Sequence, residues 1–265
     1  MNSSEFLIDP SQIPAMPNVI VKALNIIKSD ATGISELGEI ISYDQALSTQ
    51  VLKVVNSAYY GFSQQVISIN KALALMGMTQ AKNIILTVAM KSMLTNYGGK
   101  ELWAHSIKCA VAAEHLAEKF KLMNPDEAFM LGFLHDIGKI LLNKKNPIKY
   151  QKVVDLKARG LDVIHAEKIF FKTDHTDVGF LMASKWKLSI IIANAIKYHH
   201  DPLKSSMANI ASLTYFADRL VQKYFKKPYF DINVVKKTKI YIDNPEEERE
   251  IILEKSESLL SELIK

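Results

Sequence analysis

Apolar positions along this 265-residue chain recur with the 3.6-residue period of an amphipathic helix almost throughout. The pattern predicts helices over Val19 to Lys28, Ser35 to Ile41, Ala46 to Asn56, Ile69 to Gly77 and Thr79 to Leu94. Between them lie breaks at "SDATG", "YYGFSQQ" and "MGMTQ". A second set is predicted over Glu101 to Phe120, Pro125 to Asn143, Tyr150 to Phe170, Asp174 to Trp186, Ser189 to His200 and Met207 to Tyr224. Asn124 reads as an N-cap followed by a proline suited to the first helical position, and Asp174 with Asp177 marks a second start. Strand-like alternation is confined to Lys239 to Ile242. The expectation is an all-α, multi-helix bundle.

The composition changes at "TNYGGK", residues 95 to 100, where Gly98 and Gly99 read as a joint between two helical sets. Three parts follow: an N-terminal helical half over 11–97, a second helical half over 98–228 packed against it, and a charged C-terminal helical extension over 229–265. In the extension Ile252, Leu259, Leu260, Leu263 and Ile264 line one face with glutamates opposite, so it is expected to fold back on the domain, with a dimer contact as the alternative. Met76, Met78, Met90 and Met93 at helical spacing read as core filling, and "NSAYYGF" as a helix end whose aromatics pack on the next helix.

Composition narrows the function classes. Hydrophobic residues make up 48% and charged residues 23%, enough to bury a core, so disorder is not expected. The formal charge of +5 comes from scattered lysines, and the richest basic stretch, Lys223 to Lys239, runs into an acidic tail; a nucleic-acid partner is not expected. The single Cys109 excludes a disulfide framework and a thiolate-rich metal site. With no leader pattern and no apolar run near the roughly 20 residues of a membrane span, the expected setting is the cytoplasm, without membrane association.

The chemistry lies on the inner helix faces. His105 falls in line with Cys109, Ala112 and Leu116, whereas His115 shares its face with Lys108, Glu118 and Lys119 and is expected to point to water. "GFLHDIGK" places His135 and Asp136 among apolar residues, and the same arithmetic turns His175, His199, His200 and Asp218 toward the packed side. Glu101, one turn before His105, is an additional candidate. Taken singly, each is better explained as a hydrogen-bonded core residue than as a ligand. Taken together, imidazoles and carboxylates from four or five helices need a positive charge, and that donor set suits one or two divalent first-row ions: iron, manganese, zinc or nickel. Gly132, Gly138 and Gly179 would let the helices approach closely around them. Phosphoester hydrolysis is the reaction class such ions serve, with Asp136 at the centre and Lys139 either steadying a phosphate oxygen or lying on the surface.

"WAHS", "GFLHDIGK" and "FADR" resemble the signature of the HD superfamily of metal-dependent phosphohydrolases, with His105, His135, Asp136 and Asp218 matching its metal set. "IPAMPNVIVKALNII", "EIISYDQALSTQVLKVVNSAYYGF" and "ISINKALALMGMTQAKNIIL" are similar to the HDOD domain, a bacterial signalling module related to those hydrolases, and the resemblance covers about residues 11 to 205. It implies a regulatory or output role with a signalling protein as partner. His175, His199 and His200 complete a set that resembles the HD-GYP cyclic-dinucleotide phosphodiesterases, some of which place a further ligand where Glu101 stands. "YHHDPLKSSM" replaces their Glu, Asp-Gly and Gly-Tyr-Pro run, so cyclic di-GMP is not the expected substrate. The alternative to a regulatory role is an active phosphohydrolase or phosphodiesterase on a phosphate or nucleotide-like ligand. Oligomeric state is left open.

Overall fold

The structure, a computed structural model, describes residues 11, 13–16, 21, 34–222 and 229–264. The helix expected over Val19 to Lys28 lies outside these residues apart from Val21. Among them there is no strand, and Lys239 to Ile242 instead begins with a left-handed helix cap at Lys239. The helices are α1 (Ile34–Ser42), α2 (Gln45–Val55), α3 (Ile69–Phe120), α4 (Pro125–Leu134), α5 (Gly138–Lys145), α6 (Pro147–Ala158), α7 (Val163–Phe171), α8 (His175–Lys185), α9 (Ile190–Tyr198), α10 (Ala208–Val221), α11 (Ile232–Thr238) and α12 (Pro245–Ile264).

The long α3 packs against α1, α2, α4, α5, α10 and α12, and it is really three helical rods. Gly77 (φ 77°, ψ 171°) and Gly99 (φ 76°, ψ 166°) leave helical geometry for a region that a side chain would strain, and each separates one rod from the next. The "TNYGGK" joint is therefore a sharp bend between two helical rods at Gly99, and buried side chains on both sides of it, from Leu37 to Ile196, form one core. By length and composition α3 is apolar enough to cross a membrane, a property the sequence reading denied it; more than half of its most apolar stretch is buried inside the fold.

Local signals act as the sequence suggested at several ends. Asn124 accepts from the backbone N–H groups of Asp126 and Glu127 ahead of α4, and Asp174 accepts from those of Thr176 and Asp177 ahead of α8. Two helices are shorter than their periodicity implied. The predicted helix from Pro125 to Asn143 is interrupted at His135–Ile137, where i to i+3 hydrogen bonds (Ile137 N to Leu134 O, Lys139 N to Asp136 O) tighten the chain into a turn. The predicted segment from Tyr150 to Phe170 is split by Gly160 (φ 92°), after which Asp162 caps α7.

Glycines fix how closely the helices meet. A methyl group at Gly132 would overlap the backbone of Cys109 and Ala110 on α3, and one at Gly138 would overlap the carbonyl of His175 on α8. Both contacts join helices that carry candidate site residues.

The two halves are also tied by polar contacts. The "NSAYYGF" turn follows α2, where the Asn56 side chain bonds the backbone of Val66 in both directions, at 2.8 and 2.7 Å. Tyr59 and Tyr60 meet edge to face, and the Tyr59 hydroxyl donates to Glu114 on α3. α12 folds back on the domain, burying Ile252, Leu259, Leu260 and Leu263. It also carries Glu248, which bonds His115 Nε2 at 2.5 Å and pairs with Lys119, so His115, turned outward as expected, is half-buried beneath α12. Met76, Met90 and Met93 are core residues.

Two outcomes follow. Gly138→Ala is expected to destabilise the fold by about 2 kcal/mol or more, because the overlap is with backbone that cannot rotate away; urea denaturation measures it. Burial pushes the Glu114 carboxyl up to about 7 from an ordinary 4.5, with Asp126 adding repulsion, against the opposing Tyr59 hydrogen bond and Lys255. A carboxyl raised in the folded state favours folding while protonated, and that contribution fades as pH rises through the folded value. The melting temperature of the wild type should therefore fall relative to Glu114→Gln between about pH 5 and pH 8.

Candidate metal centre

Five elements deliver the polar cluster. His105 comes from α3, His135 and Asp136 from the turn after α4, His175 from the start of α8, His199 and His200 from the end of α9, and Asp218 from α10. His135 and Asp136 are consecutive on the tight turn between α4 and α5, and both side chains enter the site, with His135 Nε2 3.2 Å from Asp136 Oδ2. His135, Asp136, His175 and His199 are at most 1% exposed and Asp218 is 6% exposed, whereas His105 and His200 stay partly exposed and form the side open to solvent.

Asp136 lies at the middle. Its Oδ2 is 3.2 Å from His135 Nε2 and 3.6 Å from His105 Nε2, while its Oδ1 is 3.3 Å from His175 Nε2 and 3.7 Å from His199 Nε2. Asp218 Oδ1 stands 3.1 Å from His105 Nε2 and 3.9 Å from His135 Nε2. The two oxygens of one carboxylate thus face two separate groups of imidazoles. On the second side, His175 Nε2 lies 3.3 Å from His199 Nε2 and 3.2 Å from His200 Nε2.

Three of the rings have their proton placed by a neighbour. His135 Nδ1 donates to Gly132 O at 2.7 Å, His199 Nδ1 to Ile196 O at 2.8 Å, and His175 Nδ1 to Glu167 Oε2 at 2.7 Å. In the neutral ring this leaves each Nε2 as a bare lone pair directed into the cluster. His135 Nε2 and Asp136 Oδ1 are both buried without a hydrogen-bond partner. For a divalent ion bound at about 2.0–2.1 Å, neighbouring donors sit roughly 3.0–3.4 Å apart, the range of the contacts made by His175 with His199, His200 and Asp136. The donors fit a divalent ion.

Electrostatics favour ionised carboxylates and, at three of the rings, neutral imidazole. Burial opposes charge on Asp136 and Asp218, yet His135 and Lys139 beside the first, and His105 beside the second, hold both carboxyls well below their ordinary values. Burial, reinforced by neighbouring rings, lowers His199 to about 3 and His200 well below its usual value, so both stay neutral and able to ligate. Burial also lowers His105 against the pull of Asp218, while at His135 the same burial is outweighed by Asp136 and the pKa rises. Lys139 is no surface residue: it is 8% exposed, and its ammonium lies 2.5 Å from Asp136 Oδ2. Burial acts against its charge, but Asp136 prevails and raises its pKa.

Glu101 does not join the cluster; it is exposed on α3, away from the grouped donors. The other seven predicted donors converge. Sequence reasoning missed two residues. Glu167 is fully buried and accepts from both the backbone N–H and the Nδ1 of His175; it precedes His175 by eight residues, across a loop no periodicity spans. Cys109 lies one turn after His105, and its Sγ is 3.4 Å from His105 Nε2; the i+4 spacing was the available signal.

The HDOD domain profile matches residues 13–202. An uncharacterized protein of Treponema pallidum (strain Nichols) is 26% identical over 197 residues, covering 71% of this chain and 38% of that protein. The chain spans well under half the length of the curated relatives it matches. Among solved structures, an HDOD domain protein with unknown function from Geobacter sulfurreducens is 26% identical with TM-score 0.73, covering 95% of this chain and 91% of that one. A candidate phosphohydrolase from Shewanella amazonensis SB2B has TM-score 0.76 at 20% identity, covering 96% of each chain, and shares the fold. With the domain profile spanning most of its length and the same helical architecture in the solved relative, the chain belongs to the HDOD domain family.

Proposed function

We propose that this chain is a bacterial, cytoplasmic signal-transduction protein whose second half holds two divalent ions and whose first half relays the state of that centre to a protein partner. One ion would be held by His105, His135, Asp136 and Asp218, the other by His175, His199, His200 and the second oxygen of Asp136. The observation that carries this reading is the meeting of bare imidazole lone pairs, His175 Nε2 with those of His199 and His200 at 3.3 and 3.2 Å, around a buried carboxylate oxygen that has no hydrogen-bond partner. Such an arrangement is repulsive unless a cation stands among the donors. The chemistry fits iron, manganese, zinc or nickel.

Bound there, ions of this kind supply Lewis acidity at a phosphoryl oxygen and an activated water. The protein's own part is positional. Glu167 fixes the ring of His175, the carbonyls of Gly132 and Ile196 fix those of His135 and His199, and Lys139 brings a buried positive charge to the same carboxylate. A second reading, hydrolysis of a phosphomonoester or phosphodiester on a nucleotide-like substrate, is favoured by the complete donor set together with that buried lysine.

Elemental analysis tests the centre. Protein purified without added metal is expected to carry about two ions per chain, with His135→Ala and His175→Ala each losing at least about half. Wild-type protein free of transition metal, even after incubation with those ions, would end the proposal. Turnover of aryl phosphoesters or nucleotides by the loaded wild type, abolished in His135→Ala, would place hydrolysis first; loaded protein without turnover leaves the regulatory role.

A further inference from the structure

Cys109 is fully buried on the same face of α3 as His105. Its Sγ, a ring nitrogen from each of His105 and His135, and a carboxylate oxygen of Asp218 all lie within 4.8 Å of one another. Around one ion with metal–nitrogen and metal–oxygen distances of about 2.0–2.2 Å and a metal–sulfur distance of about 2.3 Å, adjacent donors are separated by roughly 3.0–3.6 Å and opposite ones by somewhat more than 4 Å. The 3.4 Å from Sγ to His105 Nε2 and the 3.1 Å from that nitrogen to Asp218 Oδ1 match adjacent positions, and the 3.9 Å from His135 Nε2 to Asp218 Oδ1 lies between the two cases.

Independent of the cysteine, His135 Nε2 is completely buried, has no hydrogen-bond partner and aims into this same group of atoms. The thiol's own contact is equally telling. With His105 Nε2 free, the S–H can donate to it; once that lone pair is given to an ion, this donation is lost and the sulfur stands beside the ion. Gly132 holds α4 against the backbone at Cys109 and Ala110, so this stretch of α3 has little room to shift. Ligation by the sulfur would place it on the same ion as the buried His135 Nε2.

We propose that Cys109 binds, as a thiolate, the ion held by His105, His135 and Asp218, so that one position of the centre has nitrogen, oxygen and sulfur donors while the other has only nitrogen and oxygen. The inference rests on the cluster being a metal centre. Binding breaks the S–H bond, the sulfur lone pair forms the bond to the ion, and the proton passes to the buffer; nothing is oxidised or reduced. A thiolate favours zinc or ferrous iron over manganese and magnesium, so the two positions differ in metal preference.

Cobalt(II) is the probe. The full-length chain, stripped with a chelator and reloaded, should show visible d–d absorption together with an intense thiolate-to-cobalt charge-transfer band in the near ultraviolet. Cys109→Ser and Cys109→Ala should keep the visible absorption, lose the charge-transfer band, and bind zinc at least about tenfold more weakly while manganese affinity changes by less than about threefold. X-ray absorption on the zinc-loaded wild type needs no variant, and should show a sulfur scatterer at about 2.3 Å. Bound cobalt without the charge-transfer band, and zinc without a sulfur neighbour, would overturn the role of Cys109 and leave the metal centre standing. A wild type that takes up no cobalt would overturn both.

Discussion

Imidazole rings whose protons are already committed to carbonyl and carboxylate oxygens have only lone pairs left to offer each other. At His135, His175 and His199 those commitments are made by Gly132 O, Glu167 and Ile196 O, and the free nitrogens turn toward one carboxylate. Burying such an arrangement removes water as a partner, so the cluster constrains everything around it: a positive charge must be supplied, and the surrounding helices must hold the donors in place. Lys139 supplies one charge, to a single oxygen of Asp136. The other oxygen remains without a hydrogen bond, which is why a bound ion fits the chemistry better than a closed polar network.

The helix packing serves that constraint. Gly132 and Gly138 flank the His-Asp pair and are pressed against the backbones of α3 and α8, the helices that carry His105 and His175. A larger residue at either position would move donors apart by far more than the few tenths of an ångström a coordination shell tolerates. The tight turn between α4 and α5 and the close helix contacts are thus two sides of one requirement, that His135 and Asp136 enter the same small volume.

The same helix that carries His105 also carries contacts to the first half and to the C-terminal extension. Glu114, on the opposite side of α3 from His105, receives the Tyr59 hydroxyl from the first half, and His115 is covered by Glu248 from α12. Both contacts lie on the same uninterrupted stretch of α3 as His105, so one rigid element joins the cluster to Tyr59 and to α12.

Much of this was legible from residue order alone. Helical period, the caps at Asn124 and Asp174, the inward faces of His105, His175 and Asp218, and the kinks at glycine are local properties, decided by neighbours within a turn or two. Family resemblance in "GFLHDIGK" and "NSAYYGF" identified the domain. Tertiary structure alone decided the rest. The turn at His135–Ile137 carries no breaker before Gly138 and keeps helical dihedrals, so periodicity ran straight through it. Glu101 shares a stripe with His105, but being one turn along a rod was enough to leave it exposed, outside the reach of the cluster. Glu167 meets His175 across a loop, Glu248 covers His115 from 133 residues away, and the sulfur of Cys109 reaches a site that helical spacing assigned to packing. Spacing along a helix tells which way a side chain points; only the assembled helices determine what it meets there.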